Sequence, residues 1–445
     1  MIKVVKFGGS SVANATQFAK VKQIVESDSD RKFIVTSACG KESKEDHKIT
    51  DLLYLCQAHV RYGVSYDSIL SLIKEKYYGI KKDLNLKVDL DREFENMEKL
   101  MTRDVSTDYL VSRGEYMTGL LLAEYLNADF VDAKDVISFR FDGEIDMERT
   151  KDLLLKHTKP GRKVVIPGFY GALPNGVIKV MTRGGSDITG SVIANVIDAD
   201  VYENWTDVSG FLVADPKIVD HPLRIPRITY NELREMSYMG ANVLHDDAVF
   251  PVSSKNIPIN VRNTNEPDNP GTMIMNDCSE YDALEAPNFV TGIAGRKNFT
   301  IITLIKNHCS TEVGYLRKVL SVFEEFRISV ESVPTTVDTT SVIVQSELVS
   351  ECIYEIVARL REVIHPDDIR IDEHLALIAI VGRAMKHSPG ISGRLLSEFG
   401  RHEINIRAIN QSGDEMCIVV GVDNRDFEKA VRAIYTKFIA EVNEK

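Results

Sequence analysis

From Met1 to about Gly271 the chain alternates short apolar runs with longer segments of helical periodicity. The clearest apolar runs are Val4 to Phe7, Phe33 to Thr36, Lys163 to Ile166 and Val201 to Trp205. Short apolar runs separated by helical segments are typical of buried parallel strands with helices packed on their faces. This part of the chain is therefore predicted to be an α/β sandwich.

Two features interrupt this alternation. The stretch from about Tyr66 to Thr102 is rich in Lys, Asp and Glu and predicts a solvated helical hairpin, with a lid or an oligomer contact as its candidate roles. Gly168 to Gly171 and the turn Pro174-Asn175-Gly176 predict a β-hairpin beside the candidate site.

The polar, proline-containing segment Asn263 to Thr272 marks a change of pattern. After it the order strand, helix, strand, strand, helix occurs and then recurs, which indicates an internal repeat. Neither repeat carries a nucleophile, a metal cluster or a phosphate loop, so both are interpreted as ligand-binding or dimerisation modules. The predicted elements are strands Val290 to Leu304, Ile328 to Val333, Ser341 to Val344, His374 to Val381, Ile404 to Ile409 and Met416 to Val422, and helices Glu312 to Phe326, Val349 to Val363, Ile391 to Phe399 and Asp426 to Tyr435.

Composition narrows the function classes. The 445 residues carry a formal net charge of -12, which argues against general nucleic-acid binding, because such binding needs a basic face. We find no signal peptide and no apolar run long enough to cross a membrane, so a cytoplasmic location is expected. The cysteines have no metal-ligand spacing and are interpreted as reduced thiols: Cys39, Cys56, Cys278, Cys309, Cys352 and Cys417.

The first candidate for chemistry follows the first strand. Lys6 precedes Gly8, Gly9, Ser10 and Ser11, and such a turn lets the backbone approach a phosphate while lysine adds positive charge. The spacing is neither that of a Walker loop nor that of a dinucleotide fingerprint. Alone, this turn is more often a plain strand-to-helix connection.

A second glycine turn, Arg183-Gly184-Gly185-Ser186-Asp187, opens a helical run. Arg183 is suited to hold a carboxylate or a phosphate with paired hydrogen bonds. Asp187 has three interpretations: it caps the helix, orients Lys6, or holds a magnesium shell through water. Two Gly-Gly turns, one with lysine and one with arginine and aspartate, suit a site that binds two anions.

Two further polar turns are candidates. Glu115, in Ser112-Arg113-Gly114-Glu115, either interacts with a helix dipole or accepts hydrogen bonds from a substrate ammonium. Thr206-Asp207 at a strand end, followed by Asp215-Pro216-Lys217, suits contacts to a nucleotide.

Taken in order along almost the whole chain, these motifs resemble those of the aspartokinases. They are Lys6 to Ser11, Ser112 to Glu115, Arg183 to Asp187, Trp205 to Val208 and Val261 to Thr264. The resemblance implies a three-layer α/β/α amino acid kinase domain over residues 1–285. It also implies two ferredoxin-like (βαββαβ) ACT domains over residues 286–372 and 373–445.

The resemblance also implies roles for individual residues. Lys6 and Asp187 would be catalytic, Lys6 by neutralising the transferring phosphoryl group. The aspartate-binding set would be Ser37, Thr50, Glu115, Arg183 and Ser186, and the nucleotide-binding set Lys6, Gly8, Gly9, Ser10, Thr206, Asp207 and Lys217. Glu115 would hold the α-ammonium and Arg183 the α-carboxylate. Leu212 and Asn242 depart from the pattern, since relatives usually carry tyrosine and lysine there.

The implied reaction transfers the γ-phosphoryl group of ATP, with Mg²⁺, to the β-carboxylate of L-aspartate. It gives 4-phospho-L-aspartate and ADP and opens the lysine, threonine and methionine pathway. The acceptor carboxylate is ionised at pH 7 and needs no general base. His245 is therefore interpreted as structural, and no side-chain cluster is predicted to hold a resident metal.

The ACT resemblance implies an amino-acid effector, with lysine preferred over threonine, and a homodimer or dimer of dimers formed through these domains. The candidate effector residues are Gly314, Tyr315, Leu316, Ser329, Val330 and Glu331. Glu331 is either a partner for a basic side chain or a surface strand residue. The alternatives to an aspartokinase are a related amino-acid or nucleotide kinase and a non-catalytic amino-acid sensor.

Overall fold

The computed structural model describes residues 1–43, 45–182, 184–241, 244, 246–282, 289–386 and 388–440. The chain forms two compact units. The first contains residues 1–211, 224–230 and 243–279, and the second contains 212–223, 231–242 and 280–445.

The first unit is built on an eight-stranded sheet in the order β3-β4-β2-β1-β7-β9-β10-β8. All neighbouring strands are parallel except β9 and β10. A separate antiparallel pair, β5 and β6, forms the predicted hairpin. The strands are β1 Lys3–Phe7, β2 Arg31–Thr36, β3 Asp129–Phe130, β4 Val164–Pro167, β5 Tyr170–Ala172, β6 Ile178–Val180, β7 Val201–Thr206, β8 Arg227–Thr229, β9 Ile259–Asn263 and β10 Thr272–Met275.

Helices alternate with these strands, and α5 and α8 pack directly on the sheet. The helices up to the end of the first unit are α1 Ala15–Glu26, α2 Ile49–Tyr62, α3 Asp67–Asp83, α4 Leu90–Leu100, α5 Thr107–Leu126, α6 Ala133–Val136, α7 Met147–His157, α8 Gly185–Val196, α9 Tyr230–Tyr238, α10 Phe250–Ser253 and α11 Ser279–Asp282. All of α9 after Tyr230 and all of α11 after Ser279 group with the second unit. The α/β sandwich predicted from the sequence is confirmed.

The charged stretch 66–102 forms the two predicted helices, α3 and α4, but they are not merely solvated. Their apolar faces are buried in the same core as β1, β2 and α5, and residues such as Ile73, Tyr77 and Phe94 are about 1% exposed. The polar residues occupy the other faces because a helix with an apolar stripe buries only that side.

The second unit contains one antiparallel sheet in the order β12-β11-β13-β15-β14. Its two long strands, β11 and β13, come from different repeats and pair along their length. The strands are β11 Gly292–Ile305, β12 Thr339–Gln345, β13 Asp368–Val381, β14 Ala408–Gln411 and β15 Cys417–Asp423. The helices are α12 Tyr315–Glu325, α13 Ser346–Val349, α14 Ile353–Ile364, α15 Ile391–Arg401 and α16 Phe427–Tyr435, which continues into a π-helical turn, Thr436–Ala440.

The prediction of a regular strand over Ile328 to Val333 is wrong. This segment makes only an irregular pairing with β12, in which the Glu331 amide donates to the Ile343 carbonyl and the Ile343 amide to the Ser332 carbonyl, both at 2.9 Å. Pro334 interrupts the ladder immediately afterwards, because proline has no amide hydrogen to donate.

None of the described helices is long and apolar enough to cross a membrane.

Candidate active site

The carboxyl ends of the central parallel strands meet at one edge of the first sheet. The Gly8 amide donates to the Trp205 carbonyl at 2.9 Å, which joins the chain after β1 to the end of β7. The Ser37 amide donates to the Phe7 carbonyl at 3.1 Å, which joins the ends of β1 and β2. Ligands of open α/β sheets bind outside this edge.

An ion pair between Lys6 and Asp187 lies at the centre of this edge. The Lys6 ammonium is 2.5 Å from Asp187 Oδ1, and the two side chains are 8% and 17% exposed. The side-chain amide of Asn204 donates to the same carboxylate oxygen at 2.8 Å. The interpretation that Asp187 orients Lys6 is the one that this geometry favours.

The turn Gly8-Gly9-Ser10 follows Lys6 and begins a short 3-10 helix. The first amides of a helix have no intrahelical acceptor and are available to an anion. A Cβ atom on Gly9 would lie 3.0 Å from the Ala38 carbonyl oxygen and 3.3 Å from Gly40 Cα. A side chain at Gly9 would therefore be tightly packed, because the chain after β2 lies against the turn.

Glu115 is buried on α5, and its Oε2 atom has no hydrogen-bond partner. Burial raises the pKa of its carboxyl to about 8, and a hydrogen bond from the Ala38 backbone only partly offsets that effect, as does the positive charge of Arg113. An unsatisfied buried carboxyl is costly without a cationic partner. Glu115 is therefore a buried acid with one carboxyl oxygen left for a further partner.

Three other predicted substrate residues are close to these elements. Ser37 directly follows β2, and Thr50 lies in the first turn of α2. Ser186, in the first turn of α8, is 8% exposed. A Cβ atom on Gly168 would lie 2.8 Å from Ser186 Oγ, so the segment after β4 closes over this turn.

The nucleotide residues predicted after β7 are more exposed. The Thr206 hydroxyl donates to Asp207 Oδ1 at 3.2 Å, and the Thr206 backbone carbonyl accepts from the Thr264 amide. Lys217 is exposed in the segment 212–223, which groups with the second unit, so its part in a nucleotide site stays a prediction. Arg183, Asn242 and His245 lie outside the described residues.

Reasoning from the sequence missed several contributors to this edge. Asn204, one residue before Trp205, orients Asp187, and Gly40 packs against the glycine turn. The Thr264 hydroxyl donates to the Ser11 hydroxyl at 2.8 Å, which explains why the Val261 to Thr264 motif accompanies the first turn. The alternation of side chains along β7 indicates that Asn204 lies on the side of the strand that faces Lys6. No local signal in the sequence indicates the contacts of Gly40 and Thr264.

In the second unit, the predicted effector residues fall into two groups. Gly314 adopts a left-handed conformation (φ 79°) before α12, where Tyr315 is buried and Leu316 is 44% exposed. Ser329 and Val330 precede Glu331, whose side chain is only 4% exposed. The Glu331 carboxylate accepts hydrogen bonds from Tyr238 at 2.6 Å and Gln345 at 2.9 Å, and it forms an ion pair with Arg296 at 3.4 Å.

Comparisons with known proteins agree with this architecture. The model of the amino acid kinase family matches residues 1–263, and an ACT domain model matches residues 378–438. Aspartokinase 3 of Bacillus subtilis (strain 168) is 34% identical over 99% of both chains.

Two solved structures are also similar. The aspartate kinase of Clostridium acetobutylicum is 45% identical, with a TM-score of 0.91, over 98% of this chain and 99% of that one. Aspartokinase III of Escherichia coli, in complex with lysine and aspartate in its T-state, is 26% identical, with a TM-score of 0.77, over the same shares.

The fold and the family matches therefore define an amino acid kinase with a C-terminal ACT domain. Within that class the chain belongs to the aspartokinase family. The sequence-based recognition of this family, and of an enzyme rather than a sensor, is confirmed.

Proposed function

We propose that the chain transfers the γ-phosphoryl group of ATP to the β-carboxylate of L-aspartate, giving 4-phospho-L-aspartate and ADP. The observation that carries the proposal is the ion pair of buried Lys6 with partly buried Asp187, because Lys6 lies directly before the glycine turn. A fixed cation beside free backbone amides stabilises charge that spreads over phosphoryl oxygens in the transition state. The product would enter the lysine, threonine and methionine pathway.

On the phosphate side, Gly8, Gly9 and Ser10 would approach the nucleotide. Lys6 would neutralise the repulsion between two anionic reactants, and Asp187 would hold the ammonium in place. Thr206 and Asp207 would complete the nucleotide site, and Lys217 stays a candidate from the sequence alone.

On the acceptor side, the Glu115 carboxylate would bind the α-ammonium of aspartate, and its unpartnered Oε2 supports this role. Arg183 would bind the α-carboxylate through its planar fork of donors. Ser37, Thr50 and Ser186 would donate hydrogen bonds to the remaining oxygens. The β-carboxylate is already ionised at neutral pH and attacks without a base.

Mg²⁺ fits this site as a companion of the phosphates. The described residues contain no cluster of three metal-ligating side chains, and Asp187 is the carboxylate beside Lys6. Mg²⁺ commonly binds through one or two carboxylates together with substrate phosphates and water. Bound there, it would supply positive charge to the phosphate oxygens, with Asp187 as its candidate protein contact through water.

We also propose that an amino acid, lysine in preference to threonine, regulates the enzyme through the second unit. The buried Glu331 carboxylate lies 3.4 Å from the Arg296 guanidinium, so a lysine ligand would compete with Arg296 for it, and the E. coli relative was solved with lysine. Gly314, Tyr315, Leu316, Ser329 and Val330 would form the rest of the site. A ligand that binds one conformation better shifts the population towards it.

A pairing of two copies through the ACT modules is part of the same proposal. Leu316 and Leu320 are 44% and 39% exposed on one face of α12, and Val313, two residues before the helix, is 97% exposed, as a contact surface would require. The free thiols of Cys39, Cys56, Cys309, Cys352 and Cys417 support a reducing, cytoplasmic location.

The test is ADP release from Mg-ATP with L-aspartate, with L-glutamate as the competing acceptor. Turnover that requires aspartate is the expected result. Turnover that prefers another acceptor would assign the site to a related kinase, and absence of turnover in folded protein would refute the proposal.

A further inference from the structure

The insert formed by α3 and α4 contributes one buried lysine, which contacts a segment next to the candidate active site. Lys76, on α3, has a side chain that is only 9% exposed. Its ammonium donates to the Gly40 carbonyl at 2.7 Å and to Asp46 Oδ2 at 2.6 Å. A buried ammonium requires such partners, because water no longer solvates it. Lys76 therefore fixes the segment between β2 and α2 at two points.

Gly40 connects this anchored segment to the glycine turn. Its amide donates to the Gly9 carbonyl at 2.9 Å. A Cβ atom on Gly40 would lie 2.5 Å from the Gly9 carbonyl carbon and 2.7 Å from the Ser10 amide nitrogen, so the two backbones are in direct contact. The position of Gly40 thus limits where the amides of Gly9 and Ser10 point.

The neighbouring residue on α3 contacts the acceptor side. The Tyr77 hydroxyl donates to the Gly114 carbonyl at 2.7 Å and lies 3.2 Å from the Thr118 hydroxyl. Gly114 directly precedes Glu115. Burial raises the pKa of Tyr77 well above its usual value, so the hydroxyl keeps its proton and remains a donor.

We propose that Lys76 is a positioning residue for phosphoryl transfer, acting through Gly40 on the amides of Gly9 and Ser10, and that Tyr77 does the same for Glu115. The insert would then be a support for the site rather than a lid. This inference rests on the proposed function, since it assumes that the glycine turn binds the nucleotide phosphates.

The test compares Lys76→Met with Lys74→Met in the full chain. Lys74 lies on the same helix and pairs with Glu98 of α4, so its loss weakens the insert without touching Gly40. We expect Lys76→Met to raise the KM for ATP about tenfold and to speed hydrogen exchange of peptide 37–48. Lys74→Met should do neither. Lys76→Arg, which retains the donors, should restore part of the affinity.

Two further variants make the test specific. Tyr77→Phe should raise the KM for aspartate while leaving that for ATP unchanged. Asp46→Asn weakens the same anchor from a partly exposed position and serves if Lys76→Met does not fold. Equal ATP KM values and equal exchange in the two lysine variants would overturn the inference. If the wild type shows no aspartate-dependent turnover, the proposed function fails, and ADP titration together with exchange still decides the role of Lys76.

Discussion

At the scale of single residues, the site combines a paired charge with a buried, protonated carboxyl that lacks one partner. Lys6 and Asp187 neutralise each other, and Asn204 holds the aspartate, so the cation is fixed before substrate arrives. Glu115 is the opposite case, because its buried carboxyl retains a proton and leaves one oxygen unpaired. Pre-organised charge on the phosphate side and an open acceptor on the other suit two different substrates.

The raised pKa of Glu115, about 8, makes aspartate binding depend on pH. Below pH 8 the free protein carries a proton on Glu115 that must leave before the carboxylate can bind an ammonium. The affinity for aspartate should therefore increase between pH 6.5 and 8, by up to about tenfold per unit, and level off above pH 8. Titration of binding across this range is the measurement.

Glu115→Gln is the control for this dependence. It should bind aspartate weakly and with little change over the same range, and an equally steep profile in this variant would contradict the assignment.

The free energy of unfolding gives an independent check on the direction of the Glu115 pKa shift. The pKa of the Glu115 carboxyl is about 8 in the folded state against a usual value of 4.5, so the folded state holds a proton that the unfolded state has released. Wild-type stability should therefore fall as pH rises from about 4.5 to about 8.

At the scale of elements, local patterns predicted the central strands of the first sheet and both glycine turns, because burial and turn formation depend on neighbouring residues. In the second unit the strand predicted over Ile404 to Ile409 begins only at Ala408. They did not predict that α3 supports the site, since Lys76 and Gly40 are 36 positions apart and only the folded chain brings them together. The same limit explains the missing strand after Ile328, where Pro334 and the burial of Glu331 override an apolar run.

The contact of Gly40 with the glycine turn gives a prediction at this scale. Gly40→Ala forces the backbone at Gly9 and Ser10 to move, because its Cβ atom has no room, and should lower kcat/KM for ATP by at least about tenfold. Gly79→Ala, on α3, meets nothing within 4 Å and should stabilise the fold by up to about 1 kcal/mol with activity unchanged. Steady-state kinetics and thermal unfolding of both variants are the measurements, and full activity in Gly40→Ala would contradict the packing argument.

At the scale of the whole molecule, the chain joins a catalytic unit to a unit with no catalytic motif. The two repeats of the second unit share one sheet through β11 and β13, so a change in one repeat has a direct path to the other. The sequence predicted the repeats and the family. It could not predict the partners of Glu331, because Tyr238 is 93 positions away along the chain.

Regulation is the prediction that belongs to this scale. If lysine binds at Glu331, Glu331→Gln should raise the lysine concentration needed for half-inhibition by about tenfold or more, because a buried carboxylate is the partner lost. Glu347→Gln, an exposed carboxylate on α13, is the matched control and should not change it. Inhibition curves for the two variants decide the question, and identical curves would place the effector elsewhere.

The central claim is that the edge around Lys6 and Asp187 forms an acyl phosphate from ATP and aspartate. Hydroxylamine converts acyl phosphates to hydroxamates, so the most direct measurement is hydroxamate formation with Mg-ATP and L-aspartate. We predict formation that requires both substrates and falls by about 10²–10³-fold in Lys6→Met. ATP hydrolysis without hydroxamate, or an unchanged rate in Lys6→Met, would contradict the account.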